Sequence, residues 1–458
     1  MALPEHESHG DGLAPIEALH SDAMLEIIER IPDFKSIMNL IRASPNACRI
    51  LYPRQGLICH KLLVREFGPH LPIVVARLEA STAEWKPKRR SIWNFEQARE
   101  YSIKLRHFCD RYLSGQATKL QVPVRYFTYQ KTRKLLAFHK CVSDWASGIS
   151  LRMIQQPPKS PFRYSSKPYD RQVNDQERYR VIKNLYVTEL ISILLPQRYG
   201  LNDKGLDEDW VTFWECFAPW ELCQYWEMQA MIFGLLKFLC PFSGKYDYPK
   251  NTGRLTKYTR GENRLYQILA LSAGLQALKP AIDTYLKSLY WYEGPLSKLF
   301  RVVKDFADYP EIRSQWCCRF NSNWYLRGIG IPQPIFPEYQ QIWLKQATAS
   351  SGDSMSYSLD TTHIEEKYID SDEGPFACWL YDVLRYGWRH DRRFTLRDGF
   401  MQCDAAHFFM TSFWDRARWE TINPEMPSVA ELKQDASTQI LTDAGEVVPI
   451  PDGEPDAE

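Results

Sequence analysis

Between Ser21 and Pro69 the chain is cut at short intervals by proline, at Pro32, Pro45, Pro53 and Pro69. Proline ends or restarts a helix, because it lacks the amide proton and restricts the residue before it. No long helix or paired strand fits between such breaks, yet each interval carries apolar residues at helical spacing. Met24, Ile27, Ile28 and Ile31 fall at i, i+3, i+4 and i+7, with Ser21 and Asp22 suited to the N-terminus. Phe34, Ile37, Leu40 and Ile41 mark a second helix, stopping before Ser44-Pro45. Ala47, Ile50 and Leu51 mark a third, and Leu57, Ile58, Leu62 and Leu63 a fourth that closes at Gly68-Pro69. The expectation is a compact α-helical module over residues 13–67, preceded by a polar, disordered stretch at 1–12.

The rest of the 458 residues also reads as helical, so the fold class expected is all-α. Residues 177–195 place Ile182, Leu185, Tyr186, Ile193 and Leu194 on one side. Trp210, Phe213, Trp214 and Phe217 repeat the pattern, and 265–278 is apolar nearly all round, as a buried central helix would be. Strand-like alternation does not persist anywhere. The body is drawn over 73–422 with an acidic loop at 350–374, where seven acids face Lys367 alone. Residues 423–458, with five prolines and scattered apolar residues, read as a disordered acidic tail. The 15 Trp, 25 Tyr and 22 Phe supply ample core material.

The module's residues resemble a known family. Leu19-His20-Ser21-Asp22-Ala23-Met24-Leu25-Glu26-Ile27-Ile28-Glu29-Arg30-Ile31-Pro32 is similar to the F-box opening, and Ser36 to Pro45 resembles the variant common in filamentous fungi, ending in Ala-Ser-Pro. The chain departs from the family pattern at His20, where Pro is usual, and at Asp22, where Glu is usual. Phe413 to Glu420 resembles a closing segment of fungal F-box-like chains. The resemblance implies a non-catalytic substrate receptor. Its box would dock on a Skp-family adaptor of a cullin–RING ubiquitin ligase through Leu19, Leu25, Ile28, Pro32 and Leu40, and the body would hold a target protein. The same residues also read as the first helices of a single all-α domain. The departure at His20 separately leaves open a helical interaction protein without a ligase role.

On the helical projection Leu25 lies outside the stripe of Met24, Ile27, Ile28 and Ile31. It is therefore expected to be the exposed apolar residue of the first helix.

Net charge decides little, since 57 Lys and Arg meet 56 Asp and Glu, but its distribution is uneven. Fourteen bases and three acids fall between Lys86 and Lys140, among aromatic residues. Lys86, Lys88, Arg89, Arg90, Arg133 and Lys134 form the candidate basic patch. Bases among aromatics suit phosphate contact and base stacking, so a nuclear protein associated with nucleic acid is a further alternative; a solvated face over a packed core is the simpler reading. Lys86-Pro87-Lys88-Arg89-Arg90 resembles a nuclear-import signal.

No catalytic motif stands out. Gly328-x-Gly330 runs into prolines, and neither a phosphate loop nor a nucleophile elbow is present. His107-x-Cys109 and His139-x-Cys141 supply a zinc-like ligand set, but residues two apart on a helix point to different sides. They are read as core cysteines with surface histidines, and neither metal nor cofactor is expected. The Trp and Tyr density of 210–226 is read as core. Eleven unpatterned cysteines and no glycosylation sequon suit a reducing compartment, cytoplasm or nucleus.

Overall fold

The computed structural model describes residues 16–17, 19–86, 95–114, 122–155, 172–195, 209, 211–225, 227–228, 274–276, 278–279, 356–358, 361, 372–386, 396–397, 400–401, 413–422, 426–442 and 447–449. Most of the acidic loop, the 1–12 stretch, Trp210 and most of the 265–278 helix lie outside them.

The proline-punctuated stretch forms four helices: α1 (Ser21–Arg30), α2 (Phe34–Ala43), α3 (Pro45–Leu51) and α4 (Gln55–Phe67). Three of the four starts have a side-chain cap; α4 begins directly after the turn at Tyr52–Arg54 without one. The Asp33 carboxylate accepts the Ser36 amide at 2.9 Å ahead of α2. The buried Ser44 hydroxyl accepts the Ala47 amide at 3.0 Å ahead of α3, where Pro45 occupies the first turn without losing a hydrogen bond. His20, one residue earlier than the expected cap, holds the start of α1 by accepting the Asp22 amide at 3.4 Å. Gly68 ends α4 at φ +50, a left-handed backbone that glycine adopts without steric cost.

Met24, Ile28, Ile37, Ala47, Leu51, Ile58 and Leu62 fill the centre of this module. α4 has a second buried face, because Cys59, Leu63 and Phe67 pack into the core of the body. Tyr129 and Leu136 of the long helix α7 (Tyr129–Gln155) also pack against the module's core. The module and body therefore share α4 as a common wall.

The body is organised around α5 (Leu71–Thr82), α7 (Tyr129–Gln155) and α8 (Asp175–Leu194), with α6 (Phe95–Tyr112) against α5. α8 is buried on nearly every side, beyond the single face its periodicity suggested: Val181, Val187 and Leu190 are enclosed along with Leu185 and Tyr186. α5, α7 and the C-terminal segment cover it from several directions at once. Phe213, Trp214 and Phe217 are core, as their spacing indicates.

The C-terminal residues correct an expectation. Residues 423–458 were expected to be a disordered acidic tail, yet α11 (Val429–Ser437) is a capped helix, with Ser428 and Glu431 exchanging hydrogen bonds. Met426, Val429, Leu432 and Ala436 are buried against Phe376, Trp379, Leu380 and Val383 of α9 (Gly374–Tyr386). α10 (Arg416–Ile422) lies between them in sequence. Strand β4 (Gln439–Thr442) then pairs antiparallel with β1 (Ser356–Ser358) and β5 (Val447–Pro449), Tyr357 opposite Leu441 and Leu441 opposite Val447. A two-stranded pair, β2 (Leu396–Arg397) and β3 (Phe400–Met401), completes the strands among the described residues. These short strands leave the class all-α. The apolar residues that look isolated in the tail share one helix face, which is why they dock. Deleting 423–458 should lower the thermal midpoint by several degrees, because it uncovers the α9 core. An unchanged midpoint in a calorimetric scan would show that α11 contributes no packing.

Candidate functional site

The outer surface of the N-terminal module is where apolar side chains collect. Six large hydrophobic residues are exposed among the described residues, and four of them, Ile27, Tyr52, Leu57 and Val64, belong to the module. Isolated exposed apolar residues are ordinary; concentration on one small unit is not.

The orientation of α1 differs from the expectation. Met24 and Ile28 are fully buried, Leu25 is half-buried against the same core, and Ile27 is 42% exposed. On a projection of about 100° per residue, Leu25 and Ile27 each lie about 80° from the direction shared by Met24 and Ile28, on opposite flanks. What decides between the flanks is α4. Lys61 pairs with Glu29 at 2.5 Å, and Arg65 donates to the carbonyls of Ile31 and Pro32 at 2.7 Å each. These contacts place α4 on the Glu29 side, where Leu25 also points, and leave the Ile27 flank open. Ile28 is likewise corrected: 1% exposed, it is core and cannot meet a partner directly. Leu19 and Leu40 are half-buried against the module core, and Pro32 is exposed. Asn46 holds the Leu19 turn by donating to the carbonyls of Glu17 and Leu19 at 3.2 and 3.3 Å.

The basic patch is only partly brought together. Lys88, Arg89 and Arg90 lie outside the described residues. Lys86 is exposed, and its ammonium donates to the Ser81 carbonyl. Arg133 and Lys134 stand exposed on the outer face of α7. The interleaved aromatics are largely committed to packing: Tyr101, Phe108 and Phe127 are core. Tyr126 donates to Glu79, while Lys131 sits 3.3 Å over the Tyr126 ring and 3.7 Å from the Glu79 carboxylate. These rings offer little platform for base stacking.

The zinc-like set does not converge, and among the described residues no three His, Cys, Asp or Glu side chains meet as a metal site. His107 is exposed while Cys109 is buried. The His139 ring meets Phe67 edge-on at 4.6 Å, and its Nδ1 lies 3.0 Å from the Tyr186 hydroxyl. Close by, His70 stacks on Tyr179 at 4.3 Å with its Nδ1 buried and without a hydrogen bond. Burial pushes His70 down to about 3, helped by His139 and Lys183, and pushes His139 down to about 4, helped by Arg178.

Both rings are thus neutral where the module meets the body, and each would take a proton near 6.5 in the unfolded chain. The stability this gives is complete above that value and is lost as the pH falls through it toward the folded values. Between pH 7 and pH 5 each histidine should cost up to about 2 kcal/mol. Urea midpoints at the two pH values check this, and His70→Gln should flatten the dependence. Equal midpoints would mean the rings are not buried as neutral groups.

Within 413–420, Asp415 and Arg418 form a buried clasp with Glu177, a pairing that local sequence patterns do not show. Arg418 grips Glu177 through Nε–Oε1 at 2.5 Å and Nη2–Oε2 at 2.7 Å. Glu177 also accepts the Asp415 amide at 3.2 Å and the Asn174 amide at 3.1 Å. The Asn174 side chain donates to Asp415, and Arg180 donates to the Phe413 carbonyl at 3.2 Å. Asp372 ties in α9 by accepting the amides of Gly374 at 2.6 Å and Arg416 at 3.1 Å. The Asn174–Glu177 capping box is visible in sequence; its partner more than two hundred residues away is not. The clasp is enclosed, so its chemistry is that of a fastener.

No protein-family model, no curated protein and no solved structure matches this chain. Among the described residues, no helix is long and apolar enough to cross a membrane.

Proposed function

We propose that the chain is an F-box-type receptor, linking a target protein to a Skp-family adaptor of a cullin–RING ubiquitin ligase, with no chemistry of its own. The observation that carries this reading is the gathering of exposed apolar side chains on a small capped four-helix module. That module also has the F-box-like sequence from Leu19 to Pro45. The adaptor-facing surface is revised to Ile27 and Pro32, with Leu19, Leu25 and Leu40 at its half-buried margin. The body, joined to the module through α4, would hold the target at a fixed position relative to the adaptor. Capture of a purified Skp-family adaptor by the full-length chain tests the reading, and absence of capture at micromolar concentrations would end it.

A second reading is favoured by the shared burial of α4: a helical interaction protein in which the module only caps the body. It predicts no adaptor capture and no change in partner binding when the Ile27 flank is altered.

A further inference from the structure

Apolar side chains are exposed on two faces of the module, and the faces point different ways. Ile27 lies on the flank of α1 turned away from α4. Leu57 and Val64, two turns apart on α4, share a stripe open to solvent, and Tyr52 stands one turn ahead of Gly56. The body closes on this second face from one side. Gly56 has no side chain, and a Cβ there would meet the Val124 carbonyl oxygen at 2.7 Å and the Arg125 Cα at 3.1 Å. The turn Val124–Tyr126 therefore lies on the first turn of α4 and adds exposed Val124 to the face that Tyr52 and Leu57 begin. Just beyond it, the Gln55 side chain accepts the Tyr129 amide at 3.4 Å, so module and body build this face together.

Its charge is of one sign. From Phe34 to Arg65 the chain has six bases and no acid, and from Val122 to Ser143 it has five bases and no acid. Arg54 and Arg125 are exposed beside Gly56, and neither pairs with an acid among the described residues. The acids nearest in sequence or space are committed or turned away. Glu29 is paired with Lys61 at 2.5 Å, Glu79 holds Lys131 and Tyr126, and Glu66 projects about 180° from Leu57.

We propose that this face is a docking surface for an acidic protein segment, which sets a large apolar side chain against Leu57 and Val124 and its carboxylates against Arg54 and Arg125.

The aliphatic side chains decide for a protein segment over nucleic acid. Leu57, Val64 and Val124 offer nothing for a base to stack on, and the Tyr126 ring is already covered by Lys131. Carboxylates set on the arginines at the rim and an apolar anchor at the centre are the ordinary division of labour at a protein interface. Within the receptor reading this is the target side, since the adaptor face lies on the other flank of α1; the surface itself needs no adaptor.

The test selects binders to the full-length protein from a library of short random peptides. Enriched peptides should carry Asp and Glu around one or two large apolar residues, and their affinity, read by fluorescence anisotropy, should fall as salt rises. Arg54→Glu combined with Arg125→Glu should weaken binding roughly tenfold or more, and Leu57→Ser combined with Val124→Ser should do the same. Arg99→Glu, at an exposed base on α6, should change it little. All these positions are exposed, so thermal midpoints should hold. Ile27→Asp should leave peptide binding intact even where it abolishes adaptor capture, so this surface and the adaptor reading fail separately. Four results would overturn the proposal: no peptide enriched, or enriched peptides without acids; binding that survives both double variants; oligothymidylate bound as tightly and lost in the same variants, which would make the face a phosphate surface; or self-association in sedimentation that Leu57→Ser with Val124→Ser removes, which would make the occupant a second copy.

Discussion

Arg418→Ala should destabilise the protein by about 3–5 kcal/mol, the cost typical of removing one partner of a buried ion pair. Glu177 is 0% exposed, and both its oxygens face the Arg418 guanidinium. Without Arg418 the carboxylate keeps, among the described residues, the amides of Asn174 and Asp415. The loss reaches further than one pair, because Arg418 Nη2 also donates to the Gln172 carbonyl at 3.0 Å. Chemical denaturation should therefore show a lower midpoint for Arg418→Ala than for the neighbouring exposed change Glu420→Ala. Replacing both partners, Glu177→Gln with Arg418→Met, should cost less than the sum of the single changes, since no unpaired charge is left behind. Additive losses in that cycle would show that the two side chains do not act as a unit.

The clasp also shows where sequence reading stops. The helix borders of the module are legible where their causes are local, with Pro32, Pro45 and Pro53 as breaks and Gly68-Pro69 as a stop, but the caps are not those expected: His20, not Ser21 or Asp22, starts α1, and Asp33 and Ser44 start α2 and α3. The cap of α8, Asn174, lies three residues ahead of the helical stretch expected from 177. What these starts are fastened to depends on residues brought together only by folding, and a single sequence carries no mark of the Glu177–Arg418 distance. The tail fails for a related reason. Met426, Val429, Leu432 and Ala436 are too few to look like a helix face until Ser428 is seen to cap them and α9 to receive them. The orientation of α1 is the subtlest case. Leu25 and Ile27 lie at equal angles from Met24 and Ile28, though only Ile27 shares their stripe with Ile31, and the choice between them is made by Lys61 and Arg65 on α4.

That choice leads to the second large effect. Ile27→Asp should abolish measurable adaptor capture while leaving the helix content and thermal midpoint nearly unchanged. Ile27 is exposed, so a charged side chain there loses little in the free protein, where surface changes usually fall within about 0.5 kcal/mol. At an interface the same change puts a carboxylate against an apolar pocket. Loss of a central apolar anchor costs about 2 kcal/mol or more, at least a thirtyfold weakening, before any desolvation of the new charge. Leu25→Asp should behave differently. Leu25 packs against Met24, Ile28 and their neighbours, so the change places a carboxylate at the edge of that core and should lower the midpoint as well as capture. The two variants thus separate surface from core on a single turn of α1. If Ile27→Asp still captures the adaptor while Leu25→Asp, still folded, does not, the docking face lies on the α4 flank, and the role given to Ile27 is wrong. If both fold and both capture the adaptor, α1 is not the contact, and the apolar residues on the rest of the module, Tyr52, Leu57 and Val64, become the next to change.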